Sequence, residues 1–99
     1  MSGAGGERAI RFATRQERTA AFNRQGLWPR IYARELREVV VAERATTEPV
    51  GGRTQIVKHY DGKVHMATTH RVVDRDGRVL HWDEKDCLLP DGTKLARKG

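Results

Sequence analysis

Three Asp-Gly dipeptides recur along the second half of this chain, Asp61-Gly62, Asp76-Gly77 and Asp91-Gly92, with their glycines fifteen residues apart. Each precedes a strand-like run: Lys63-Val64-His65-Met66, Arg78-Val79-Leu80-His81 and Thr93-Lys94-Leu95. Asp-Gly between alternating apolar residues is the strongest short-range hairpin signal, because glycine reaches positive φ without a Cβ clash. The recurrence is one strand plus one turn, so it predicts an antiparallel meander rather than a solenoid repeat.

Working outward from these turns places strands at about 53–60, 63–74, 78–88 and 93–97. Pro49 with Gly51-Gly52 marks the loop before them. Further upstream, Thr14-Arg15-Gln16-Glu17 matches a capping box and Gly26 suits a C′ position, which predicts a helix over 14–25. The segment 31–47 carries two periodicities. Tyr32, Leu36, Val39 and Val40 fit helical spacing, whereas Val39-Val40-Val41 followed by Glu43, Ala45 and Thr47 fits a strand. The reading divides it into a second short helix over about 30–37 and a strand over about 38–47. Arg8 to Ala13 alternates enough for a short edge strand. The expected fold is α+β, with the helix 14–25 packed on a four- to five-stranded antiparallel sheet. Residues 1–6, small and glycine-rich, read as a disordered tail before one small domain over 7–99.

Register turns the strands into faces. A two-residue Asp61-Gly62 turn pairs Tyr60 with Lys63 and His59 with Val64. A three-residue loop at 75–77 pairs Val72 with Leu80 and His70 with Trp82. One face then holds Val57, His59, Val64, Met66, Thr68, His70, Val72, Leu80 and Trp82, as a core. The other holds Lys58, Tyr60, Lys63, His65, Arg71 and His81, a basic and histidine-bearing surface.

Composition limits the function. Only 37% of residues are apolar and 32% are charged, so the core is modest, and a homodimer offers such a chain more surface to bury. The net charge of +6 suits anionic partners such as nucleic acid. A single cysteine, Cys87, excludes an intrachain disulfide and a cysteine zinc cluster, and fits a reducing, cytoplasmic setting. Its neighbours Leu88-Leu89 make it a buried structural thiol. The longest apolar run, Val39 to Ala42, is too short to span a bilayer, and no membrane partner is expected. There is no P-loop, dinucleotide fingerprint, H-E-x-x-H or G-x-S-x-G. No metal site and no cofactor are expected.

The first functional expectation is therefore a small non-catalytic α+β domain acting through self-association or through binding a protein. The alternative is an RNA-directed protein. The order of helices followed by a curled antiparallel sheet resembles that of the RelE-like small endoribonucleases. That resemblance implies a basic, histidine-bearing sheet face in which His65, His81 or Tyr60 handles a proton and Lys58, Lys63 and Arg71 hold phosphate.

Overall fold

The computed structural model describes residues 9–97, so the expectation of a disordered tail over 1–6 lies outside the described residues. The first strand, β1 (Ile10–Ala13), runs into helix α1 (Arg15–Gln25) through the capping box read from sequence. The Thr14 hydroxyl accepts the Glu17 N–H at 3.1 Å, and the Glu17 carboxylate accepts the Thr14 N–H at 3.2 Å. Gly26 ends α1 at φ 65° and immediately starts α2 (Leu27–Tyr32). A Cβ at Gly26 meets nothing within 4 Å, so only the left-handed backbone demands glycine there. Gly26→Ala is expected to cost about 1–2 kcal/mol, read as a lower urea midpoint with an unchanged slope.

The second helix differs from its predicted span of 30–37. It starts earlier because Pro29 is accepted inside the first turn, where its missing N–H leaves no bond unmade. It stops at Tyr32 because Arg34 adopts φ 59°, a conformation that breaks helical pairing.

Five strands follow: β2 (Arg37–Ala45), β3 (Arg53–Asp61), β4 (Val64–Val73), β5 (Val79–Leu88) and β6 (Lys94–Arg97). With β1 they form one six-stranded sheet in the order β1-β6-β5-β4-β3-β2. The α+β class holds. The strand count exceeds the expected four to five, because β1 joins the sheet, and β1 pairs parallel with β6 while all other pairs are antiparallel.

Across β3, β4 and β5 the register shifts at three bulges, at Met66, Leu80 and Lys85. Gly62, at φ 61°, takes the first central position of the β3–β4 turn with Lys63 second, so Asp61 pairs with Val64. Glycine at the first central position is what a type II′ turn requires. That shift leaves Tyr60 and His65 on a common face. An extra residue at Met66 then pairs His59 with Ala67, turning every later β4 side chain over. A second bulge at Leu80 pairs Val72 with His81 and Arg71 with Trp82. The helix-side face therefore carries Val57, His59, Ala67, Thr69, Arg71 and Trp82. Thr68, His70 and Val72 lie on the opposite face, and Val64 and Leu80 are exposed.

The helices cover the β5–β6–β1 side. Phe22, Leu27, Ile31, Ala67, Cys87 and Leu95 form the centre of the core. Phe22 stacks on Trp28 at 5.0 Å, Trp28 on Tyr32 at 5.5 Å, and Tyr32 meets the Trp82 ring edge-on at 6.4 Å. This aromatic series joins both helices to β5. Cys87 is the buried thiol expected from its neighbours; burial pushes it up to about 11, against a 3.1 Å bond from the Gln25 amide. Among the described residues, no helix is long and apolar enough to cross a membrane.

Candidate functional site

The predicted site residues separate into three places. Tyr60 and His65 come together near the β3–β4 turn, ring centroids 5.3 Å apart, with the Arg37 guanidinium 4.6 Å over the Tyr60 ring. The His65 Nε2 lies 2.9 Å from the Ala67 carbonyl and 3.1 Å from the Thr68 hydroxyl. Lys58 lies on the same β3 face by alternation, and Lys63 sits in the turn. His81 pairs with Val72, seven residues along β4 from His65, so the two histidines stand about 20 Å apart. They share no reaction centre.

Arg71 is on the other face, 8% exposed, and holds a polar network the sequence did not reveal. Its Nη1 donates to Glu38 Oε1 at 2.9 Å and its Nε to Gln55 Oε1 at 2.7 Å. Arg34 donates to the same Glu38 oxygen at 2.6 Å. The Gln55 amide donates to Glu43 at 2.5 Å, which also lies 3.3 Å from Arg53. The Arg71 and Arg34 guanidiniums stand 5.3 and 5.8 Å from the Trp82 ring centre. Rungs of β2, β3 and β4 are thus tied by charge on the side where a small core runs short of apolar residues.

His59 lies beside this network, fully buried, its Nε2 2.7 Å from the Thr69 hydroxyl and its ring 6.0 Å from Trp82. Burial, opposed in part by Glu38, lowers its pKa to about 4 from the ordinary 6.5. The unfolded chain therefore takes up a proton near 6.5 that the folded chain refuses until about 4. His59 stabilises the fold fully above pH 6.5, and that contribution drains away as pH falls toward 4, by about 3 kcal/mol. Urea midpoints at pH 7.5 and 4.5 are expected to fall further apart in the wild type than in His59→Gln. His70, on the opposite face, is also lowered by burial and adds in the same sense.

The acidic run Asp83-Glu84-Lys85-Asp86 is dispersed by the β5 backbone. Asp83 meets Arg15 at 3.0 Å, Glu84 accepts the Thr19 hydroxyl, and Asp86 meets Lys94 at 3.3 Å. Among the described residues, no group of three or more His, Cys, Asp or Glu side chains is arranged to hold a metal ion.

The two sheet edges differ in chemistry. β2 is long and exposed, but it bulges at Val41. In the antiparallel β2 pairing that sets Val40 opposite Val41, Glu38 faces Glu43 and Arg37 faces Arg44, like charges in contact. β1 is short and carries a single charge, Arg11. Its Ala9 carbonyl accepts the Lys94 N–H at 2.8 Å, so by alternation the backbone groups of Ile10 and Phe12 point away from β6. Their side chains are 60% and 64% exposed on one face. Arg11, on the helix side, is held by Glu17 at 2.9 Å.

Comparison with protein-family models, with curated proteins and with solved structures finds no match to this chain.

Proposed function

We propose that this chain is a small non-catalytic domain that acts by self-association, and that the partner is a second copy joined across β1. The observation that carries the reading is the pair Ile10 and Phe12, exposed at 60% and 64% on the strand that ends the sheet among the described residues. An antiparallel two-fold pairing centred on Arg11 sets Ile10 opposite Phe12 of the second copy, twice. Both residues direct their backbone groups outward, so each such pair exchanges two main-chain hydrogen bonds. Four large apolar side chains then share one face, and the two Arg11 side chains sit on the other, each neutralised by its own Glu17. Phe12→Lys places a charge in that cluster and leaves the folded protomer intact, because the residue is already exposed. Sedimentation velocity is expected to show a dimer for the wild type and a monomer for Phe12→Lys. A wild type that stays monomeric sinks the proposal.

A second reading, RNA binding without cleavage, draws on the Arg37–Tyr60–His65 stack with Lys58 beside it, a ring platform bordered by cations. It predicts an RNA mobility shift that survives near-physiological salt and is lost in Tyr60→Ala. A shift abolished by salt alone counts against it.

A further inference from the structure

Between the first turn of α1 and the sheet lies a cleft of about 540 Å³ that the dimer contact leaves unexplained. Thr54, Ile56 and His70 line its sheet side, and the first turn of α1 closes one flank. We infer that this cleft binds a small phosphate-bearing molecule.

The argument begins with Arg18. Arg18 is 4% exposed, yet among the described residues its guanidinium pairs with no carboxylate. Its Nη1 donates to two main-chain carbonyls of β5, Glu84 at 2.9 Å and Lys85 at 2.7 Å, and its Nε is buried with no hydrogen-bond partner. A buried guanidinium that leaves a donor unpaired is costly, and an anion entering beside it recovers part of that cost. Arg18 borders the cleft, and so do Arg44 of β2, Lys85 of β5 and Arg97 of β6. None of those last three makes an ion pair among the described residues.

The cleft also has three acids, of which Asp83 and Glu43 lie beside arginines and Glu84 accepts a neutral hydroxyl. The lining cations Arg15, Arg18, Arg44, Lys85 and Arg97 outnumber the three acids and come from four different elements. Cations converging from several directions suit a doubly charged anion with three or more oxygens better than a planar, singly charged carboxylate. The volume falls in the range of small-molecule sites, and Ile56 and Ala42 offer an apolar surface for an organic body.

The test uses the full chain, titrated with inorganic phosphate and with pyrophosphate at fixed ionic strength, with acetate as the carboxylate control. Binding is read from amide chemical shifts and from the thermal midpoint. Arg44→Gln with Lys85→Gln removes two exposed cleft cations and leaves Arg18 in place. Arg75→Gln with Arg78→Gln makes the same charge change in the β4–β5 turn. The expected result is saturable binding of pyrophosphate, weakened at least tenfold by the cleft pair and unchanged by the turn pair. No saturable binding, equal losses in both pairs, or acetate binding as tightly as phosphate would each overturn the inference.

Discussion

Arg71→Ala is expected to lower the unfolding free energy by about 3–5 kcal/mol, the cost of removing one partner from a buried ion pair. The substitution leaves Glu38 with Arg34 alone, and Glu38 Oε2 is already buried with no hydrogen-bond partner. It also strips the Gln55 carbonyl of its donor and the Trp82 ring of a guanidinium contact. Much of the loss comes from the carboxylate left behind rather than from the attraction removed. Replacing both partners, Arg71→Met with Glu38→Leu, is therefore expected to recover more than half of the loss. Urea unfolding of the single and double variants reads this directly. A double variant as unstable as the single one would mean that packing around the Arg71 stem, not charge, holds the site.

Phe22→Ala carries the other large effect. Phe22 is fully buried, stacks on Trp28 and belongs to the central core cluster. Such a truncation costs about 3–5 kcal/mol, transfer plus the cavity left behind. A small domain holds about 5–15 kcal/mol in total, so this one change consumes a large share of it. The expected result is a protein with little or no cooperative transition at 37 °C, because both helices lose their common anchor. Phe22→Leu, which keeps most of the volume, is expected to remain folded. If Phe22→Ala kept a thermal midpoint within a few degrees of the wild type, the aromatic series from Phe22 to Trp82 would not be what fastens the helices to the sheet.

The hairpins were legible because Asp-Gly chemistry is local, and α1 because a capping box and a glycine stop lie within a few residues of one another. The second helix was displaced because Pro29 reads equally well before a helix or in its first turn. The sheet faces were not legible. A single-residue bulge at Met66 decides whether Arg71 meets solvent or Glu38, a second at Leu80 decides which face Trp82 takes, and no local signature marks either one. Trp82 returns to the helix side only because the second bulge compensates for the first. Parallel pairing of β1 with β6 joins opposite ends of the chain, which no turn motif encodes. The cleft is assembled from Arg18, Arg44, Lys85 and Arg97, residues from four elements whose meeting depends on the whole topology. Tyr60 and His65 share the expected face because both lie before the bulge at Met66, although Tyr60 pairs with His65 rather than with Lys63.

Self-association across β1 is tested most directly by sedimentation equilibrium of the wild type and Phe12→Lys at protein concentrations up to about 100 μM. The account predicts a mass of twice the 11.2 kDa chain for the wild type and of a single chain for the variant, with both giving the same urea midpoint at low concentration. A wild type of single-chain mass throughout, or a Phe12→Lys dimer as tight as the wild type, would contradict it.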